Sequence, residues 1–573
     1  MNAPLSRRQL LGRSLGAGAG VLFLPALGAL AQAAESMTGA PAAEEVATGY
    51  VFDDRGSTGV RSDGSPGIEG VLVSNGRSVV RTDRDGRYRI GVRDGDVLFV
   101  VKPAHWATPL SEYNLPKFYY FHRPTGSPQW RAPDAPATLD PTYYYAGTDA
   151  TGPLPASIDF PLRKHAEPDE FKVVVFGDTQ VSHDRQVEWM SRDTIAELVG
   201  TNGVAFGISL GDLVNVGLLH MYQPLNEMQA KTGFPWYVIP GNHDQNIMVP
   251  DDSLADEQFR TTYGPTTYAF DYGPASFLML ENIMRRPVQG YNTSEDGQTS
   301  TPMGDNYGCG LTDDQWAFVE SYLAAVPLDR PLFIAMHIPI TGENDDEKAF
   351  CKRLMGLLSG RRCTLSMSGH THRQRHTFHG EESGFSGPGQ HHHFNSICVR
   401  GEGYRGMFDE LRIPTCQSVC GTPNGYSFLF INKDGYSIRY KGSRERADYQ
   451  MNIFVSPRIR TKDLGRQLVR ANVFAGSERS TVRMRVNGGS WLPMDLTPEQ
   501  DPSMKWVLES QVKPESWLRS KYRLEANDLP LSYHIWQAPL PTEIAVGTHT
   551  LEVESTDMFG QSDRGVTLFR VTA

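Results

Sequence analysis

The chain has 573 residues, 39% of them hydrophobic and 21% charged, which are ordinary values for a globular protein and argue against long disorder. Its net charge of -11 argues against a broad electrostatic grip on nucleic acid or on an anionic membrane surface. The 56 glycines and 38 prolines point to many turns and much β structure, and at ~150 residues per domain the length corresponds to about three or four units.

At the N-terminus, Ser6-Arg7-Arg8-Gln9-Leu10-Leu11 precedes a Gly/Ala-rich apolar run from Leu15 to Leu30, and Ala29-Leu30-Ala31 offers a small-residue cleavage site. The pattern over residues 1–34 resembles a twin-arginine export signal. Its apolar run is short for the ~20 residues a spanning helix needs, and no later segment reaches that length. No stable membrane span is therefore expected in the mature chain. The resemblance implies bacterial export of a folded chain to the periplasm or another extracytoplasmic space, a route that suits a protein loaded with metal beforehand.

From about Thr48 to Phe160 short β-like runs alternate with turns: Gly49–Phe52, Gly70–Gly76, Arg87–Ile90 and Val97–Val101. A small β-sandwich over residues 46–165 is expected. The stretch Thr82–Tyr88 resembles the turn of the transthyretin-like or carboxypeptidase-regulatory-like modules often attached to secreted enzymes. A calcium loop on Asp83 and Asp85 would need further acidic ligands and a closing Glu, which are lacking.

Near Glu170 the pattern changes to strands alternating with helices, the signal of an α/β layered domain over residues 170–445. Phe171–Phe176 reads as a strand, Arg185–Val199 as an amphipathic helix, and Thr312–Val326 as a second helix. Further strands are expected at Val204–Leu210, Trp236–Ile239, Phe277–Leu280, Pro331–Met336 and Thr364–Met367, with two more between Asn424 and Lys441. Residues 450–573 turn β-rich again, with strands at Leu468–Phe474, Ser480–Val486 and His549–Val553.

Five polar clusters in the middle domain each follow an apolar strand: Gly177-Asp178-Thr179-Gln180, Gly211-Asp212-Leu213-Val214-Asn215, Gly241-Asn242-His243-Asp244, His337, and Gly369-His370-Thr371-His372. Ligands collect at the carboxyl ends of strands in α/β sheets, so these side chains are expected to converge across nearly 200 residues of sequence. The glycines are read as turn residues. Two carboxylates, three imidazoles and two amide oxygens without sulfur suit a pair of hard-to-borderline metals such as Mn, Fe or Zn. Two ions ~3.5 to 4 Å apart clamp a phosphoryl oxygen and lower the pKa of a bridging water.

In order and spacing the five clusters resemble the calcineurin-like metallophosphoesterases, with Asp-x-His, Gly-Asp-x-x-(Asp/Asn), Gly-Asn-His-(Asp/Glu), a lone His and Gly-His-x-His. The resemblance implies an α/β fold: a four-layer metallophosphoesterase β-sandwich flanked by helices, an N-terminal transthyretin/Ig-like β-sandwich and a C-terminal β-rich domain. It implies two divalent or trivalent ions, the first held by Asp178, Gln180, Asp212 and His372, the second by Asp212, Asn242, His337 and His370, with Asp212 bridging. By the same carry-over His243 faces the scissile phosphate and Asp244 orients it. Gln180 departs from the family's His; His183 nearby is either a replacement imidazole or a loop residue. The implied activity is hydrolysis of a phosphate mono- or diester. A non-catalytic envelope binding protein with the same fold is the alternative, and Gln180 is its support.

The run His391-His392-His393 is read as a further metal site, as substrate contacts, or as a polar loop near the active centre. Gly421–Tyr426, Trp536 with Pro539 and Pro541, and Asp557–Gly560 resemble the C-terminal module of the multidomain secreted branch, and their aromatics are expected in the core. Six cysteines, Cys309, Cys351, Cys363, Cys398, Cys416 and Cys420, are too scattered for a disulfide scaffold, though Cys416 and Cys420 are a candidate pair. None lies at zinc-site spacing, so thiolates are not expected to hold the metals.

Overall fold

The alternating runs near the N-terminus form two four-stranded sheets. In the first, Glu45–Asp53 lies between Arg87–Val92 and Phe160–Lys164, with Trp106–Ala107 at the edge; the second orders Val79–Arg81, Leu72–Ser74, Val97–Val100 and Tyr119–Phe121. Alternation puts Tyr88, Ile90 and Val92 on the buried side of their strand. These residues share one apolar cluster with Val73, Leu98 and Phe99 of the other sheet. Between Thr82 and Tyr88 the Asp83 Oδ1 accepts from the backbone N–H of Asp85 at 3.0 Å and of Arg87 at 2.9 Å, so the segment is a turn. The computed structural model describes residues 44–249, 252–286, 290–294, 296–302, 306–340, 344–399, 404–510 and 529–573. The export signal expected over residues 1–34 lies outside the described residues.

A buried ion pair ties the N-terminal sheets to the middle of the chain. Lys102 Nζ donates to Glu167 Oε1 at 2.7 Å and to the Asp271 carbonyl at 2.6 Å. Glu167 Oε2 accepts from the backbone of His105 and of Gly273. Burial pulls the Lys102 ammonium below its usual pKa, against the pull of Glu167. Removing one partner of such a pair strands the other, so Lys102→Met is expected to cost ~3 to 5 kcal/mol. The measurement is the urea unfolding midpoint, and restoration of part of the loss in Lys102→Met/Glu167→Gln would identify the stranded carboxylate as the cause.

The middle of the chain builds two larger sheets. A five-stranded sheet runs Trp236–Val238, Val204–Ser209, Phe171–Phe176, Gly425–Asn432, Gly435–Gly442, the first three parallel. A six-stranded sheet runs Tyr268–Tyr272, Ala275–Met279, Leu332–Ala335, Thr364–Ser368, His391–Asn395, Arg375–His379, its middle four parallel. Along Phe171–Phe176 the side chains alternate between partners: Val173 and Val175 join Phe277, Phe333, Leu365 and Met367 of the other sheet, while Val174 and Phe176 meet Met190, Ile195 and Leu198.

The helix expected over Arg185–Val199 is interrupted: Asp184–Met190 passes through a π-turn at Ser191–Ile195 into Ala196–Leu198. Within that turn the buried Asp193 carboxylate accepts from Asn424 Nδ2 and Arg444 Nε, an anchor that periodicity does not report. Helix Asp313–Ala325 starts at a capping box formed by Thr312 and Gln315.

Residues 451–573 contribute two more sheets, one with Leu468–Val473 and Ile535–Pro539, the other with Gly547–Thr556 and Ser562–Thr572, around a separate apolar cluster that includes Trp536. The candidate Cys416–Cys420 disulfide is not formed; Cys420 is buried and its Sγ meets Thr422 Oγ1 at 3.5 Å. Among the described residues no helix is long and apolar enough to cross a membrane.

Candidate metal centre

The five polar strand ends converge, three from one sheet and two from the other. Asp178, Asp212 and Asn242 follow Phe171–Phe176, Val204–Ser209 and Trp236–Val238; His337 follows Leu332–Ala335, and His370 and His372 follow Thr364–Ser368. Two donor groups result, Asp178 with Asp212 and His372, and Asp212 with His337 and His370; the donor atoms within each lie within 4.8 Å of one another. Asp212 belongs to both.

The backbone is turned to make this possible. Gln180, Asp212, His370 and His372 have φ of 39°, 52°, 71° and 53°, four of the ten non-glycine residues with positive φ among the described residues. Such conformations cost ~1 to 3 kcal/mol each and persist only where the surroundings enforce them. The glycines serve two different ends. Gly211, with φ of 90°, makes the turn the sequence suggests. A Cβ on Gly241 would stand 2.1 Å from Asp212 Oδ1, and one on Gly369 2.5 Å from Asp178 Oδ2, so these two clear room for carboxylates.

Around Asp212 the contacts are dense. Oδ1 accepts from the His243 N–H at 2.9 Å and lies 3.2 Å from His337 Nε2; Oδ2 accepts from Gln180 Nε2 at 2.8 Å. Asn242 Oδ1 lies 3.1 Å from His337 Nε2, and His370 Nδ1 lies 3.2 Å from the same nitrogen. His337 Nδ1 donates to the Leu210 carbonyl at 2.8 Å, which leaves Nε2 as the ring's ligand atom in the neutral tautomer. Asp178 accepts from the His370 N–H through both oxygens at 3.0 Å.

The field of these carboxylates favours positive charge. Burial alone would raise Asp212, yet the rings of His243, His337 and His370 hold it well below the usual range. Burial would depress His337, but Asp212 and Asp178 outweigh it and lift the ring to about 9. His372 Nε2 is buried without a hydrogen-bond partner, 3.5 Å from Asp178 Oδ1. An orphaned imidazole nitrogen beside two carboxylates fits a metal ion, as does the oxygen and nitrogen character of the donors.

Gln180 meets this cluster through Nε2, which also lies 3.1 Å from His243 Nδ1; a half-turn of the amide would present Oε1 at the same point. His183 is not in either donor group: it caps the helix Asp184–Met190, and its ring stands edge-on to Trp189. Asp244 is held to other work than expected. Its carboxylate accepts from the backbone N–H groups of Leu213, Val214 and Gly241, so it braces the loops that carry Asp212 and His243 and does not bond the His243 ring. Burial and the Asp212 charge raise it to about 7. The triplet His391-His392-His393 is neither a loop nor part of a donor group; it lies in the buried strand His391–Asn395.

Comparison with known proteins bears on this geometry. The profile of calcineurin-like phosphoesterases matches residues 171–374, that of their N-terminal part residues 56–131, and that of their C-terminal part residues 393–562. The chain belongs to the calcineurin-like phosphoesterases. No curated protein matches it. Among solved structures, purple acid phosphatase PPD1 from seeds of yellow lupin (Lupinus luteus) is similar at 12% identity over 70% of this chain and 72% of that one, with a TM-score of 0.32, too distant to bear on function.

The metal-dependent hydrolysis of phosphate esters is thus the chemistry of this calcineurin-like phosphoesterase at family level. Sequence motifs missed two supports of its centre. Asn282 is fully buried; its Oδ1 accepts from the N–H of His337 and of Ile338 at 3.1 and 3.0 Å, and its Nδ2 donates to the Ile338 carbonyl. It follows the strand Ala275–Met279 as the other polar residues follow theirs, so the same strand-end signal would have found it. Tyr307, whose OH lies 3.4 Å from His370 Nε2, follows no such signal.

Proposed function

We propose that the protein hydrolyses a phosphate mono- or diester at a two-metal centre, with Asp178, Gln180, Asp212 and His372 around one ion and Asp212, Asn242, His337 and His370 around the other. The observation that carries this reading is the pair of donor groups sharing Asp212, built on left-handed backbone at four of the seven residues named. When bound, manganese, iron or zinc ions would supply positive charge to the phosphoryl oxygens and lower the pKa of a water.

The chain's own residues prepare that chemistry. Asp212 joins the two donor groups. His337 is fixed by the Leu210 carbonyl with Nε2 toward the centre, and Asn282 fixes its backbone. His243, 15% exposed at its side chain, is the group placed to contact a phosphate or protonate a leaving oxygen. Asp244 braces the loop beneath it. The proposal includes export through the twin-arginine route to an extracytoplasmic space, and a division at 46–165, 170–445 and 450–573 with a transthyretin/Ig-like first module.

The test is elemental analysis of protein from an export-competent host, with hydrolysis of aryl phosphate mono- and diesters measured with and without chelator. About two metals per chain and chelator-sensitive turnover are expected. No metal and no turnover after supply of manganese, iron or zinc would turn the reading to a non-catalytic binding protein. His243→Ala is expected to keep the metal content of the parent and to lose ~10²- to 10⁴-fold in kcat, the usual range for general acid–base groups. Equal loss of metal in that variant would reassign His243 from acid to ligand.

A further inference from the structure

The triplet His391-His392-His393, unused by the centre itself, stands beside the strand that delivers two of its imidazoles. Strand His391–Asn395 runs parallel to Thr364–Ser368, with Ser366 opposite His393 and Ser368 opposite Asn395. Alternation puts His391, His393 and Asn395 on one face, against Thr364, Ser366 and Ser368. His391 Nδ1 and Nε2 lie 2.8 Å from Thr364 Oγ1 and Ser366 Oγ, and His393 Nδ1 and Nε2 lie 2.7 and 2.9 Å from Ser366 Oγ and Ser368 Oγ. Thr371, between His370 and His372, donates from Oγ1 to Asn395 Oδ1 at 3.1 Å.

All of these side chains except Thr371 are buried, and each ring nitrogen has a hydroxyl partner. Ser366 has one proton for two rings: it donates to one and accepts from the other, so His391 and His393 carry their protons on the same ring atom. A buried network satisfied in this way is rigid and admits one register. It ends where rigidity is needed. Ser368 precedes the loop and Thr371 sits inside it, on either side of His370, and His370 and His372 both have the left-handed backbone that relaxes unless its surroundings forbid it.

We propose that His393 and Asn395 are positioning residues for the metal-binding loop: through Ser368 and Thr371 they hold His370 and His372 in the turned backbone that aims both rings at the centre. The inference rests on the two-metal reading above. It assigns His393, the last of the triplet, a role in metal affinity without making it a ligand.

Two readouts on the full-length protein test it. In competitive chelator titration with manganese or zinc, Asn395→Ala and Thr371→Val are expected to weaken the ion by ~10- to 100-fold, the usual cost of losing a group that orients a ligand. At position 393 the shorter Asn reaches only toward Ser366, whereas Gln reaches the Nε2 position beside Ser368. His393→Asn is therefore expected to weaken the ion, and His393→Gln to stay within about threefold of the parent, against the ~10-fold minimum for the lost orientation.

The second readout needs no metal: amide hydrogen exchange across residues 369–373 of the chelated protein is expected to rise in Asn395→Ala and His393→Asn and to stay at the parental rate in His393→Gln. Unchanged exchange in Asn395→Ala, or equal behaviour of the Asn and Gln variants at 393, would overturn the positioning role. A parent protein that binds no metal but shows the expected exchange pattern would overturn the two-metal reading and leave the positioning of the loop standing.

Discussion

Asp212→Asn is expected to abolish nearly all turnover, with a fall of at least ~10³ in kcat/KM, about 4 kcal/mol of transition-state stabilisation. Asp212 is the residue common to both donor groups, so its substitution weakens both at once. Asn keeps the size of the side chain and one oxygen, which can still accept from the His243 N–H. What disappears is the charge that holds His337 up to about 9 and gives the centre its preference for cations. The backbone is not put at risk: residue 212 has φ of 52°, a region in which Asn is among the best tolerated side chains, so a folding defect is not the expected cause of the loss. Elemental analysis should show the metal content falling with activity while the circular dichroism spectrum stays parental. Normal hydrolysis with full metal content in this variant would sink the assignment of Asp212 as the bridge.

The centre was legible in sequence because its residues obey one local rule, a polar residue placed directly after an apolar strand. That rule needs no knowledge of which strands pair. The partition into two sheets does need it, and apolar runs such as Phe171–Phe176 and Leu332–Ala335 look alike whichever sheet they join. The same limit hid the role of Asp244. Its motif neighbour is His243, but its hydrogen bonds go to Leu213, Val214 and Gly241, the first two contributed by a loop about thirty residues away in sequence.

The histidine triplet shows the strongest divergence between hydropathy and burial. Three consecutive imidazoles read as a polar segment, yet His391 and His393 are fully buried because Thr364, Ser366 and Ser368 supply a hydroxyl for every ring nitrogen. Across the strand, His392 finds His376 and the Tyr436 hydroxyl at 2.8 Å on either side of its ring. Burial of a polar group is decided by its partners, and those lie on strands the local sequence does not name. The Cys416–Cys420 pair failed for a related reason: proximity along the chain does not bring the two sulfurs together, and Cys420 points to Thr422.

Those buried rings carry the second large effect, a steep loss of stability in mild acid. Burial pushes His391 down to about 3, and it pushes His534, a further buried ring just ahead of strand Ile535–Pro539 whose Nδ1 lies 2.7 Å from Asn472 Oδ1, down to about 4. Burial, reinforced by neighbouring rings, holds His392 and His393 well below the usual histidine range. In the unfolded chain each titrates near ~6.5, so between that pH and the folded values the unfolded state binds more protons. Stability is therefore fully present above about pH 6.5 and is lost as the pH falls toward the folded pKa values, by up to ~1.4 kcal/mol per pH unit for each ring. For four rings, a drop from pH 6.5 to 5.5 removes about 4 kcal/mol, a large part of the ~5 to 15 kcal/mol that typically separates folded from unfolded chains. Urea unfolding of the metal-free protein at several pH values between 7.5 and 5.5 would measure the slope, and His391→Gln/His393→Gln should make it shallower by about 2.5 kcal/mol per pH unit at its lower end. A stability that stays flat across this range, or a slope the double substitution leaves unchanged, would mean that these rings are not the neutral groups their hydroxyl partners imply.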